Sequence, residues 1–356
     1  MLAGSPVDPA QALARIAYLL DRDHAPTYRA RAYHRAAAVV AALPPDEVVQ
    51  RARTGRLTEL EHLGPKTAAI VAQAVAGRVP PYLVELEETT VVAATTAAGA
   101  ELQAALRGDC HTHSTWSDGG AEIATMARAA RALGHDYVVL TDHSPRLKVA
   151  NGLTPERLRA QLDEVAAVND VLAEEAATEG QSPFRVLTGI EVEILDDGAL
   201  DQEDDLLGRL DLVVASLHSH LRMEARAMTR RMAVAVANPH VDVLGHCTGR
   251  LRSVTGKGRP ESTFDAELVF HACARFDTAV EVNCRPERLD PPRRLLALAA
   301  EAGCRFSVDT DAHAPGQLEW QPYGADRLAE AGVGAERVVN AASADDLLAW
   351  TASHSG

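Results

Sequence analysis

From Leu106 onward the chain repeats one pattern: a short apolar run, then a polar cluster, then apolar positions at helical spacing. The apolar runs end in GDCHTHS, YVVLTDHS, RVLTGIEVEIL, LDLVVASLHSH, VDVLGHCTGR, TAVEVNCRPERLD and RFSVDTDAH. Helical patterns lie between them, near 121–133, 155–178, 225–236, 263–275, 291–302 and 323–331. Short strands alternating with helices predict parallel βα units. Seven such units suit a closed barrel better than an open sheet, because every strand end is polar and the helices can form an outer ring. In such barrels the active site lies at the carboxyl ends of the strands, where these clusters fall. The first hundred residues read differently. From Pro9 to about Leu86 they predict four or five short helices, one stopped by Pro44 and Pro45 and one running from PPDE to Gly55. LTELEHLGPKTAAIVAQAVAG predicts two more, joined by a tight turn at His62–Lys66 that can offer backbone N–H groups to a phosphate. The Ala/Thr/Val-rich stretch that follows reads as a linker ending in a short helix. The expected architecture is α/β: a distorted (β/α)7 barrel over 107–356, a linker over 88–106 and a small all-α domain over 1–87.

Chemistry concentrates at the strand ends. His111 and His113, two apart on one strand, point to the same face and can aim at one point, a geometry suited to a metal ion. Of fourteen histidines, six (His111, His113, His143, His218, His246 and His313) sit at strand ends, together with Asp118, Glu191 and Asp311. A mixed nitrogen and oxygen donor set without thiolates suits Zn, Mn or Fe rather than a structural zinc site. The five cysteines form no CxxC pair and are expected to be small buried strand residues.

Composition narrows the picture only slightly. No run approaches the roughly 18 apolar residues of a membrane span, and the first twenty-five residues are charged, so a cytoplasmic protein without a membrane partner is expected. The net charge is −15, yet residues 1–100 carry ten basic and ten acidic side chains, so the whole excess lies in the barrel. A site holding several divalent cations would offset part of it. The balance argues against electrostatic coating of nucleic acid without excluding a nucleic-acid end as substrate.

The amino-terminal segment resembles the helix-hairpin-helix domain of family X DNA polymerases, on RAYHRAAAVVAALP and the hairpin that follows. The resemblance implies DNA contact through residues 29–66, with Arg29, Arg31, Arg35, Arg51, Arg53 and Arg56 as a candidate basic face; a helical cap on the barrel is the alternative. His62 replaces the usual first turn glycine, while Gly64 and Lys66 remain. Ile70 stands where eukaryotic members carry a Schiff-base lysine, so no lyase activity is carried over. There is no room before the barrel for a polymerase palm.

The order HxH…SDG, TDH, GIEVEI, ASLHSH, GHCTGR, EVNCRPERLD, DTDAH resembles the polymerase and histidinol phosphatase (PHP) family of metal-dependent phosphoesterases. TDHSP, HxTGR and ExNxxPxRLD point to the PHP domains of bacterial family X polymerases. The resemblance implies three divalent metal ions. One would be held by His111, His113, Glu191 and Asp311, a second by Glu191, His218 and His246, and a third by Asp118, His143 and His313. It implies hydrolysis of phosphate esters by a metal-activated hydroxide, with these nine ligands as the catalytic set. Arg250 and Arg288 are candidate phosphate clamps or salt-bridge partners, and Asn283 a candidate substrate contact or strand-end bond. His220 and His240 are expected to be structural. An amidohydrolase would need a bridging lysine, and none of Lys66, Lys148 and Lys257 ends a strand. A haloacid-dehalogenase-type phosphatase would need Thr or Val where His313 stands. The substrate readings are a DNA 3′ end, cleaved by an exonuclease or 3′-phosphatase, and a small phosphomonoester such as histidinol phosphate; a non-catalytic DNA-binding adaptor is the remaining alternative.

Overall fold

The computed structural model describes residues 8–90, 95–252 and 258–355, which fall into two units, 1–92 and 93–356. Lys257 and residues 91–94 of the expected linker lie outside the described residues.

The first unit consists of helices α1 (Pro9–Arg22), α2 (Thr27–Ala41), α3 (Pro45–Arg53), α4 (Pro65–Val75) and α5 (Pro81–Thr89). Asp8 caps α1 by accepting from the Gln11 amide, and prolines open α3, α4 and α5, where a missing N–H costs nothing. Their apolar faces meet in a core of Leu13, Ile16, Leu20, Tyr33, Val71 and Leu83. One expectation changes. Leu57–Glu59 forms a single 3-10 turn, not a helix, because only eight residues separate Gly55 from Gly64, too few to repay helix nucleation. The hairpin therefore joins α3 to α4.

The second unit opens with α6 (Ala97–Ala105). Seven parallel strands follow in simple order: β1 (Gly108–Thr112), β2 (Tyr137–Leu140), β3 (Arg185–Glu193), β4 (Leu212–Ser216), β5 (Val243–Leu244), β6 (Ala279–Asn283) and β7 (Phe306–Asp309). The helices around them are α7 (Ile123–Ala132), α8 (Pro155–Glu179), the one-turn α9 (Asp204–Leu207), α10 (Ala225–Val236), α11 (Ala266–Phe276), α12 (Arg293–Glu301), α13 (Gln321–Glu330) and α14 (Ala344–Ala352). The seven strands form a nearly closed barrel. Their apolar side chains, including Ile190, Val192, Val213, Val280 and Phe306, pack outward under the helices. Between β1 and β7 the ladder is incomplete, with one bridge from Thr112 to Ala312. Side-chain amides complete the seam: Asn340 donates to the Gly108 and Val308 carbonyls at 3.0 and 2.8 Å, and Gln321 to the same two at 2.9 and 3.2 Å. Unpaired buried carbonyls are costly, so two buried amides here are a structural necessity.

Most of the expected linker is not free chain. Its first residues belong to α5, which runs on to Thr89. Further along, α6 packs on α13, with the Thr96 amide and hydroxyl both donating to Asp326 at 2.9 and 2.8 Å. Gly99 is buried in that contact, where a β-carbon would collide with Asp326. Gly99→Val should therefore destabilise the barrel by about 1–3 kcal/mol, read as a lower urea midpoint; an unchanged midpoint would mean that 97–105 contributes nothing to it.

Candidate active site

The carboxyl ends of the strands converge on Glu191, wholly buried on β3. Five imidazoles approach its two oxygens. His246 Nε2 lies 2.7 Å and His218 Nε2 3.2 Å from Oε1. His143 Nδ1, His111 Nε2 and His113 Nε2 lie 2.8, 3.3 and 3.7 Å from Oε2. His113 Nε2 is also 3.4 Å from Asp311 Oδ1. On the outer side, Asp118 Oδ1 lies 3.3 Å from His313 Nε2 and 3.5 Å from His143 Nε2. The structure thus brings all nine expected residues together.

Their potential ligand atoms form three tight groups: His113, Asp118, His143 and His313; His111, His113 and Asp311; His143, Glu191 and His218. These overlap the expected partition but differ from it: His113 and His143 each fall in two groups, Glu191 is outside the group of His111 and Asp311, and His246 is in none of the three. His143 stands between two groups, one ring nitrogen toward Glu191 and the other toward Asp118, because its strand end lies between those of β1 and β3.

A second ring of carboxylates, not foreseen from the sequence, sets these imidazoles. His111 Nδ1 is 2.6 Å from Glu281 Oε1 and His218 Nδ1 is 2.8 Å from Glu193 Oε2. Each pairing directs the other nitrogen, Nε2, inward. His313 Nδ1 lies 2.8 Å from the Asp311 carbonyl, which leaves its Nε2 facing Asp118. Arg231, fully buried, supports Glu193 and the Ile194 and Ser219 carbonyls. Asp142, next to His143, accepts from the Ser114 amide and hydroxyl, the Ser117 amide and Gln161, so it shapes the loop that carries Asp118. A signal for two of these was present: Glu193 follows Glu191 by two, and Glu281 precedes Asn283 by two, so each shares its neighbour's inward face.

The expected phosphate contacts divide. Arg250 bonds the carbonyls of Arg288, at 3.0 Å, and Leu289, tying the β5 and β6 loops together; with those carbonyls in reach, it is engaged inside the protein. Asn283 bonds Asp311 at 3.2 Å and Glu281 at 3.3 Å, so it orients a carboxylate. Arg288 Nε lies 3.1 Å from Asp311 Oδ2, yet its Nε and Nη1 are buried without a hydrogen-bond partner. Arg285, unnoticed in the sequence, has Nη1 3.2 Å from the Asp311 carbonyl and 3.0 Å from His313 Nδ1. His220 is exposed and paired with Asp196 at 2.7 Å, and all five cysteines are buried free thiols outside the three groups.

The electrostatics show what the site accommodates. Burial alone would raise the Glu191 carboxyl, but His218, His111 and His143 hold it well below the ordinary range. Asp311 is likewise held down, against burial, by Arg285 and His113. Burial, reinforced by His313 and His143, keeps His113 well below the usual imidazole value, in the neutral form a ligand requires. Burial opposes charge on His218, but Glu191 and Glu193 push it up to about 9. Bound cations would displace such protons. The orphaned atoms point the same way: His111 Nε2, both His113 nitrogens, His143 Nδ1, His218 Nε2 and Glu191 Oε2 are buried without a hydrogen-bond partner. So many unsatisfied buried donors and acceptors around one point would be expensive unless a ligand completes them. Imidazole and carboxylate donors without thiolate fit divalent transition ions.

Comparison with known proteins agrees with this geometry. Residues 7–78 match the helix-hairpin-helix domain and residues 109–277 match the PHP domain. The barrel is a PHP domain. The chain is 39% identical over 245 residues to "DNA polymerase/3′-5′ exonuclease PolX" of Bacillus subtilis (strain 168), an alignment covering 69% of this chain and 41% of that one. It therefore spans about two fifths of that polymerase. It is 28% identical over 243 residues to a "Probable phosphatase" of Syntrophotalea carbinolica, covering 65% of this chain and 90% of that one. Among solved structures, histidinol phosphate phosphatase from Lactococcus lactis covers 64% of this chain at 18% identity with a TM-score of 0.45, an overlap too loose to bear on function. No helix among the described residues is long and apolar enough to cross a membrane.

In the amino-terminal unit, Arg29, Arg31, Arg35, Arg53 and Arg56 are exposed, while Arg51 pairs with Glu47 at 2.8 Å. A cavity of about 1020 Å³ is lined by Tyr28, Arg29, Tyr33, His62, Lys66 and Tyr82, with Ile70 on its apolar wall.

Glu281→Gln should weaken divalent-cation binding to the PHP domain by about 10–100-fold, measured by calorimetric titration of metal-stripped protein, with the circular dichroism spectrum unchanged. Wild-type affinity would show that His111 needs no such support.

Proposed function

We propose that this protein is a metal-dependent phosphoesterase whose substrate is a DNA 3′ end, acting as a 3′→5′ exonuclease or 3′-phosphatase. The observation that carries the phosphoesterase reading is the clustering of nine imidazole and carboxylate side chains around Glu191 and Asp118, with several of their buried nitrogens left unsatisfied. The DNA reading is supported by the helix-hairpin-helix domain at residues 7–78 and by the relative named as a 3′-5′ exonuclease.

The nine residues His111, His113, Asp118, His143, Glu191, His218, His246, Asp311 and His313 would hold three divalent ions, zinc, manganese or iron, with Glu191 serving two of the three. Ions bound there supply Lewis acidity toward phosphoryl oxygens and lower the pKa of the attacking water. The chain's own residues do the rest. Glu281 and Glu193 hold His111 and His218 with Nε2 inward. Asn283 and Arg288 fix Asp311 from one side, and its own carbonyl fixes His313. Arg288 keeps an unpaired Nη1 that can donate to a phosphate oxygen as the ester binds. Burial of the imidazoles and Glu191 keeps bulk water from screening these charges.

A second reading, a small-molecule phosphomonoesterase, is favoured by the "Probable phosphatase" relative, most of whose length the chain spans, and by the net charge of −15.

Protein loaded with Mn²⁺ should release nucleotides or phosphate from 3′-labelled single-stranded and nicked oligonucleotides, and removal of metal by EDTA should abolish this. Turnover of histidinol phosphate or an aryl phosphate, with the oligonucleotides untouched, would establish the second reading instead. His218→Ala and Asp311→Asn should each lower kcat at least about 100-fold, the scale of one missing transition-state interaction, and reduce the bound metal per chain. Full activity and metal content in either would overturn the nine-residue site.

A further inference from the structure

Two residues beyond His143 the chain leaves the PHP barrel in a closed loop, 145–152, and its fixation is unusual for a surface excursion. Its return end is tied to its start. The Leu153 amide donates to the His143 carbonyl at 2.7 Å, and Gly152 lies so close to the Ser144 carbonyl that any β-carbon would collide with it. One flank is held by Asp201, which accepts from the Arg146 amide at 2.6 Å and the Ser144 hydroxyl at 3.1 Å. The other is held by Arg157, which bonds the Asn151 and Gly152 carbonyls as well as the Trp116 carbonyl. Ala150 and Leu153 are buried beneath.

On this clamped frame the exposed residues are Arg146, Lys148, Val149 and Asn151, of which Asn151 donates to the Trp116 carbonyl at 3.3 Å. Val149 is 94% exposed, the most exposed large hydrophobic residue among those described. A single exposed aliphatic residue is ordinary on a surface. One that follows two exposed cations, Arg146 and Lys148, on a clamped loop near the candidate site is less so. Neither cation has a carboxylate partner among the described residues, although the barrel is strongly acidic. Some exposed arginines elsewhere on it, such as Arg128, Arg159 and Arg293, are paired with Glu175, Glu203 and Glu330, while others, such as Arg209 and Arg222, show no ion pair among the described residues. From Ser144 to Val149 the chain can reach at most about 17 Å from the site. A polynucleotide strand leaving the nine-residue cluster spans such a distance within a few nucleotides.

We infer that loop 145–152 is a strand-binding element: Arg146 and Lys148 take backbone phosphates of the nucleotides preceding the 3′ end, and Val149 packs against an unstacked base or sugar. This rests on the DNA-end reading above and adds where the polymer is gripped. Phosphates would fix the register, and an apolar side chain tolerates any base, so the grip carries no sequence preference. Because the frame is already clamped, little ordering entropy opposes binding.

The test compares two substrates on the full chain loaded with Mn²⁺: a 3′-labelled single-stranded oligonucleotide and p-nitrophenyl phosphate. Arg146→Ala/Lys148→Ala should lower kcat/KM on the oligonucleotide about tenfold or more and flatten its dependence on log salt by about 0.7 for each phosphate no longer neutralised. Val149→Ser should lower it several-fold without changing that slope. Both variants should hydrolyse p-nitrophenyl phosphate within about twofold of wild type. Equal losses on both substrates would mean the loop only supports His143, and unchanged oligonucleotide cleavage would mean that it grips nothing; either overturns the inference alone. A wild-type protein that hydrolyses only p-nitrophenyl phosphate would overturn it together with the DNA-end reading.

Discussion

The barrel is arranged around one buried carboxylate. Glu191 has no access to solvent, and its two oxygens are approached by imidazoles from the ends of β1, β2, β4 and β5. A charged carboxylate in that position is tolerable only because positive or polarisable groups surround it. The imidazoles in turn hold the carboxyl in its charged form, while Glu191 itself, and after it the outer carboxylates Glu193 and Glu281, push charge back onto His218 and His111. The arrangement balances as a cluster, and each member's protonation depends on the others. Divalent ions are the natural completion of such a set, since they satisfy several lone pairs at once.

This explains why the surrounding structure is so heavily bonded. Loops at a strand end are usually the mobile part of a barrel, but here they are fixed by buried polar side chains. Asp142 organises the turn between His113 and Asp118, Arg231 holds the chain around Glu193, and Arg250 joins the β5 and β6 loops. The seam between β1 and β7 belongs to the same logic. Asn340 and Gln321 replace missing ladder bonds there, so His111 and Asp311, on either side of the gap, keep a defined spacing. Ligand geometry within fractions of an ångström requires that kind of support.

The helical unit follows a simpler plan. Its core is mainly alanine, leucine, isoleucine and valine on short helices, most of them opened by proline, with several exposed arginines and a cavity lined partly by tyrosines beside the hairpin. Nothing among its described residues needs a buried charge network on the scale of the barrel's. The two units therefore place different demands on the sequence: one requires chosen side chains at seven strand ends, the other mainly helical periodicity.

How much of this the sequence determined follows from the same difference. The alternation of apolar run, polar cluster and helical pattern carried the seven-stranded barrel, because parallel strands buried on both faces cannot be disguised. Histidines and carboxylates at strand ends carried the site, because the position of a residue relative to a strand end is a local property. What the sequence left open depended on distance across the barrel. Whether Arg250 faces a phosphate or a carbonyl, whether Glu281 binds anything, and which groups His143 stands between were decided by neighbours up to 170 residues away, as with Glu281 and His111. Likewise α6 reads as linker by composition and becomes part of the barrel only because Asp326 on α13 lies beside Thr96 and Gly99. Periodicity is written along the chain, whereas the choice of hydrogen-bond partner exists only after the strands have closed.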